Sequence, residues 1–191
     1  MMTDEQPRDR LLAAAVGYAV THGIGELTLR ELAAAIGTSL RMLIYHFGSK
    51  EGFLIAVVGA VEQAQRALFA NLASDPDLAP VDAARRFWDG LADPNLWPQE
   101  RLFFELYVRA LHGRPGTDGF LDGIIDSWVT PITTLAVEHG VPRDVARVDA
   151  RLGVAVIRGL LLDLLATGDR EGVDEALERY LQRQPWPAEQ A

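Results

Sequence analysis

The sequence predicts an all-α protein of about nine helices. Nearly every segment carries apolar residues at the helical period, and no run alternates convincingly as a strand would. Proline or glycine punctuates each gap between periodic segments. With 191 residues, 49% of them apolar, the chain can bury one sizeable core or carry a small head on a larger body.

The first helix is expected over Arg8 to His22, where Leu12, Ala15, Val16 and Ala19 fall at i, i+3, i+4 and i+7 and His22-Gly23 supplies the stop. Gly17 inside it costs about 1 kcal/mol of helix propensity relative to alanine, so close packing is its expected reason. Thr28 opens the second helix as a capping box with Glu31; Leu29, Leu32, Ala33 and Ile36 make one stripe, and Gly37 ends it. Ser39 caps a third helix, Leu40 to about Tyr45, and Ser49 caps a fourth with Glu51 in its first turn. That fourth helix keeps Phe53, Val57, Val61, Ala64, Leu68 and Leu72 on one stripe until Asp75-Pro76. Further helices are expected over Pro80–Ala92, Pro98–Leu111, Thr117–His139, Arg143–Ala166 and Arg170–Arg183. The tail from Gln184, with Pro185 and Pro187, is expected to fray.

Composition narrows the function. There are no cysteines, so disulfides and thiolate zinc sites are excluded. The N-terminal MMTDEQPRDR is polar and acidic where a signal peptide is basic and then apolar. The run from Leu152 to Gly168 is interrupted by Arg158 and Asp163 and is too short to span a bilayer comfortably. A cytoplasmic protein with no membrane partner is expected. The chain lacks an HExxH pair, a phosphate-cradling glycine loop, a GxSxG elbow and a cysteine nucleophile, so no enzyme, metal site or cofactor is expected. The net charge of −9 is unevenly spread. Between Thr28 and Lys50, Arg30, Arg41 and Lys50 stand against the single acid Glu31, a net of +2, leaving −11 for the rest. A basic head on an acidic body suits a protein that binds a polyanion selectively.

From Thr28 to Phe53 the chain reads as a helix, a tight glycine turn, a short second helix and the start of another. Two short helices so joined are the unit that lays a helix in the major groove of DNA. Several blocks occur in order: a first helix ending in Gly23, Thr28-Leu29-Arg30-Glu31-Leu32-Ala33, Gly37-Thr38-Ser39, and Tyr45-His46-Phe47-Gly48-Ser49-Lys50-Glu51. With them the N-terminal fifty or so residues closely resemble the DNA-binding domain of the tetracycline-repressor (TetR) family of bacterial transcription regulators. The resemblance implies a helix-turn-helix head over residues 1–52 and a ligand-binding and dimerising body over residues 53–191. It places Thr28, Arg30, Thr38, Ser39, Leu40, Arg41, Met42, Tyr45, His46 and Lys50 at the DNA, with Leu43 and Phe47 turned inward. Arg41 is the candidate for direct readout, since its fork can grip a guanine bidentately. Lys50 looks like the family's phosphate-contacting lysine, its charge added to a helix N-terminus. The chain departs from the family pattern at Leu40, Met42 and Ile44; Leu40 and Met42 suit thymine methyls, so base preference stays open.

The body carries no comparable fingerprint. Aromatics are dense from Phe69 to Trp128, and TetR-like proteins enclose a ligand pocket with the corresponding helices. Phe69, Trp88, Phe103, Phe104, Tyr107 and Trp128 are the expected lining, and Glu105, Arg109, His112, Asp126, Thr130 and Thr133 the candidate polar groups; a plain core is the alternative. The segment from Val154 to Leu165 is apolar nearly all round and must be buried on most sides. With the last helix it resembles the family's dimerising pair, which implies a homodimer through Val156, Leu160, Leu164, Leu177 and Leu181; a helix central to one monomer is the alternative. Gly153 and Gly159 would allow close approach, and Asp163 needs a partner. The expected function is a ligand-responsive homodimeric regulator, a repressor of a palindromic double-stranded DNA operator released by an unknown small-molecule effector. The competing readings are a small α-helical enzyme or ligand carrier, and a dimeric adaptor without DNA binding.

Overall fold

In a computed structural model, residues 7–22 and 28–184 are described. Among them lie nine α-helices and no strand: α1 (Pro7–His22), α2 (Leu29–Ala35), α3 (Leu40–Phe47), α4 (Lys50–Ala73), α5 (Pro80–Leu91), α6 (Trp97–Leu111), α7 (Asp126–Glu138), α8 (Arg143–Thr167) and α9 (Arg170–Leu181), with one 3-10 turn, Pro94–Leu96. Gly23, the side chain of Ala19 and the tail from Pro185 fall outside the described residues.

The chain divides into two compact units. The first joins residues up to Gln65 with Pro94–Leu121, so that α1, α2, α3, the first two-thirds of α4, the 3-10 turn and α6 cluster together. Its buried apolar residues include Ala15, Leu29, Leu32, Ala33, Leu43, Phe53, Val57, Val58, Phe103 and Leu106. The second unit joins Arg66–Asp93 with Asp122–Ala191. Its core is built on Phe87, Leu91, Trp128, Val129, Ala150 and Val154, with Phe69, Leu72, Ile125, Ile132 and Ile157 packed against them. α4 is long and apolar enough to cross a membrane by length and composition alone. In the fold, however, Phe53, Val57 and Val58 are buried, and the helix opens on the charged pair Lys50-Glu51.

The second unit is tied across α5 and α9 by charge. The Arg85 guanidinium donates to both Glu178 carboxylate oxygens at 2.6 and 2.8 Å and to Asp82 at 2.7 Å. These bonds raise the Arg85 pKa and lower that of Glu178. Trp88 Nε1 donates to Asp174 at 2.6 Å, and Arg170 bridges Asp174 and Asp89. Burial opposes the Arg170 charge, but its two carboxylate partners outweigh it.

Two expectations need correction. The helix expected over Thr117–His139 starts only at Asp126, and residues 118–125 form successive turns. Gly119 and Gly123 sit at φ 73 and 69, in the left-handed region that no right-handed helix can continue through. The apolar run Phe120, Leu121, Ile124, Ile125 mimics a helical stripe while the glycines break it. Gly17, in turn, is exposed, and a Cβ added there would meet nothing within 4 Å, so close packing is not its reason.

Candidate nucleic-acid interface

The second helix is started by side chains. The Thr28 backbone N–H donates to Glu31 Oε2 at 2.8 Å, its hydroxyl donates to the same oxygen at 2.7 Å, and the Glu31 N–H returns a bond to Thr28 Oγ1 at 3.3 Å. This capping box holds the Glu31 carboxyl below its usual range, through the Thr28 hydroxyl first and its backbone second. The helix stops at Gly37, φ 72, where the Thr38 N–H reaches the Ala33 carbonyl at 2.8 Å. Ser39 then caps α3 by accepting from the Met42 N–H at 3.3 Å.

α3 runs two residues beyond the expected end, to Phe47, with a Gly48 stop whose N–H bonds the Ile44 carbonyl at 2.8 Å. Its faces segregate as the chemistry requires. Leu43 is wholly buried. Phe47 is half-buried, edge-on to Phe53 at 5.1 Å between centroids, with the Arg8 guanidinium 5.0 Å from its own ring centre. Outward lie Ser39, Arg41, Met42, Ile44 and Tyr45, while Leu40, Thr38 and His46 are half-buried beside them. Tyr45 is 78% exposed, which excludes a core role for it; His46 meets it edge-on at 5.0 Å. Thr28, Arg30 and Lys50 are exposed too, Lys50 at the first position of α4.

One residue of this arrangement escaped the sequence reading. A Cβ at Gly52 would collide with the Phe47 carbonyl oxygen, and the Gly52 N–H donates to Ser49 Oγ at 2.9 Å. Gly52 thus lets α4 start directly against the end of α3, which sets Lys50 relative to the reading face. A glycine in a helix's first turn is an ordinary neighbour of a serine cap, so nothing in the sequence singled it out.

Residues 11–57 match the family model described as bacterial regulatory proteins, tetR family. Over this stretch the chain is similar to TetR-family regulators. Its whole course shares the TetR fold. A TetR transcriptional regulator from Legionella pneumophila is 18% identical at TM-score 0.69, over 95% of this chain and 98% of that one. A transcriptional regulator from Rhodococcus sp. RHA1 is 21% identical at TM-score 0.72, over 95% and 97%. The multidrug binding protein EbrR, complexed with imidazole, is 24% identical at TM-score 0.58, over 98% and 94%. No curated protein matches the sequence.

The aromatics expected to line one pocket fall into two clusters. Phe103 contacts Phe104, Tyr107 and Phe120 at 5.3, 5.7 and 6.3 Å within the first unit. Phe69, Phe87 and Trp128 form a triangle of 5.6, 6.3 and 5.5 Å in the second. Trp88 belongs to neither cluster and turns its indole to Asp174. The polar candidates are engaged locally or exposed: Thr133 donates to the Val129 carbonyl, Arg109 pairs with Glu105 and Glu51, Asp126 pairs with Arg147, and His112 and Thr130 are exposed. The buried polar side chains of α6 are instead Gln99 and Glu100, 2% and 5% exposed. At the start of a helix such residues read as solvent-facing, so the sequence carried no signal for them.

Of the expected dimer residues, Leu164, Leu177 and Leu181 are buried within the chain itself, and Val156 and Leu160 are half-buried. Gly153 serves the same inner packing: a Cβ there would lie 3.0 Å from Tyr180 Oη on α9. A Cβ at Gly159 would meet nothing, and Asp163 is exposed and needs no partner inside the chain. The other face of α8 is what remains uncovered. Val145, Val148, Leu152 and Leu162 are 43, 67, 50 and 51% exposed, and Ala155, Gly159 and Ala166 lie between and beyond them. Their spacing alternates three and four residues, a continuous heptad seam.

Proposed function

We propose that the chain is a homodimeric, ligand-responsive transcriptional repressor that reads a palindromic operator in double-stranded DNA. The observation that carries this reading is the α3 face. A buried Leu43 anchors a short capped helix whose opposite side presents Arg41, Met42 and the 78%-exposed Tyr45, with Lys50 next to it on the following helix. Arg41 is suited to a guanine edge and Lys50 to a phosphate, while Thr28, Arg30, Thr38, Ser39, Leu40 and His46 complete the contact surface.

The heptad seam on α8 supports a second copy as partner. An apolar stripe of this length on an otherwise soluble fold asks to be covered, and a two-fold dimer covers it with itself. The dimer presents two α3 helices to successive major grooves about 34 Å apart. The head over residues 1–52 and the body over residues 53–191 divide DNA binding from ligand binding and dimerisation, in the cytoplasm. An effector among the body aromatics releases DNA by preferring the geometry with the wrong spacing. Moving occupancy from 99:1 to 1:99 needs about 5.5 kcal/mol of differential affinity. That EbrR is a multidrug binding protein of the same fold fits an aromatic-lined effector site.

The deciding experiment is a gel shift on the DNA upstream of the protein's own gene, with sedimentation of the protein alone. A shifted, salt-sensitive complex and a dimer at micromolar concentration are expected. A monomer, or no preference for any upstream segment over random DNA, refutes the reading.

A further inference from the structure

Among the described residues the buried polar and charged ones are few: Gln99, Glu100, Thr117 and Thr133. Thr117 and Thr133 donate to backbone carbonyls, and Glu100 accepts from Gln65 Nε2 at 2.5 Å. Gln99 differs from the other three. Its side-chain Oε1 and Nε2 are both buried and both lack a hydrogen-bond partner among the described residues. An enclosed carboxamide with neither heteroatom satisfied pays the full desolvation cost of a donor and an acceptor. Such a group in a folded protein calls for an explanation, a water or a ligand.

What surrounds it along the helix distinguishes these. Gln99, Phe103 and Tyr107 are spaced four apart, on one face of α6. Phe103 is itself 5% exposed and is the hub of the cluster with Phe104, Tyr107 and Phe120. An aromatic wall ending in one unsatisfied amide matches the make-up of small-molecule sites, apolar linings with few orienting polar groups. Water would satisfy the amide but would gain nothing from the wall.

We infer that the α6 face from Gln99 to Tyr107 is the specificity element of the effector site, and that it takes a planar aromatic molecule bearing an amide-like group. The ligand's N–H donates to Gln99 Oε1, its carbonyl accepts from Gln99 Nε2, and its ring lies against Phe103 and Tyr107. This assignment rests on the proposed effector-responsive reading and names the chemical class of that effector.

The test is calorimetric titration of the full chain, without DNA, with benzamide as the amide probe and toluene as the apolar control. Wild type is expected to bind benzamide, and Gln99→Leu to weaken it about tenfold, the loss of two hydrogen bonds, while toluene binds the variant at least as well. Gln99→Leu is expected to raise the unfolding temperature, since it removes the unsatisfied amide, which also reports that the variant folds; Gln99→Met serves if it does not. Equal benzamide affinity in wild type and variant overturns the assignment, as does absence of benzamide binding to wild type. Gel shift with and without benzamide separates the two readings: benzamide binding through Gln99 with no specific DNA complex keeps the site and sinks the regulator, and a specific complex that benzamide leaves unchanged overturns the effector role of the site.

Discussion

Arg41 and Lys50 are both exposed cations on the same head, yet they are expected to fail differently. Arg41 projects from the second position of α3; in the proposed reading its fork meets base edges, so Arg41→Ala should cost about 1–3 kcal/mol on the preferred site and relax base preference. Competition gel shifts check this, and an equal loss on every sequence would remove Arg41 from readout. Lys50 opens α4, and in the proposed reading its charge joins the helix N-terminus at a phosphate. Lys50→Ala should weaken binding to all sequences alike and reduce the slope of log affinity against log salt by about one. Gly17 gives a third test at this scale: with open space around its missing Cβ, Gly17→Ala should raise stability by about 0.5–1 kcal/mol in thermal unfolding. The caps and glycine stops that bound α2 and α3 were readable beforehand, because they are settled within a few residues; the open space at Gly17 was not. Gln99 was not readable, since a glutamine looks alike in sequence whether it meets water or a closed interior.

Among the elements α8 is the most instructive. Its apolar residues divide between two faces: Ala146, Ala150, Val154, Leu161 and Leu164 are buried in the chain, and Val145, Val148, Leu152 and Leu162 are exposed. Substitutions on the two faces should therefore separate folding from association. Leu152→Glu should leave the monomer folded and abolish the dimer in sedimentation. Leu164→Ala should lower stability by about 2–5 kcal/mol, since it empties a wholly buried site. The α5–α9 pairing predicts a pH effect. Arg85 holds the Glu178 pKa below its unfolded value, so the pair stabilises the fold above about pH 4.3 and loses that contribution as pH falls through the lower folded pKa. Glu178→Gln should flatten this part of the acid-unfolding curve; an unchanged curve would show that the pair contributes nothing to stability.

Across the whole molecule, α6 clusters with the head helices and not with α5, α7, α8 and α9. The aromatics that looked like one belt are thereby divided between two compact units, each with its own cluster. The sequence by itself determined the helical class, the boundaries of most helices, the capping box at Thr28 and the likeness of the head to the TetR family model. Each of these depends on hydrogen bonds and dihedral preferences spanning about four residues, which a linear reading contains. Tertiary structure alone decided which face of α8 stays exposed, which aromatics meet, where the glycine turns after Thr117 cut α7 short, and that Gln99 is closed off without a partner. These outcomes depend on which distant elements pack together, and burial is a property of that packing and not of any residue's neighbours in the chain.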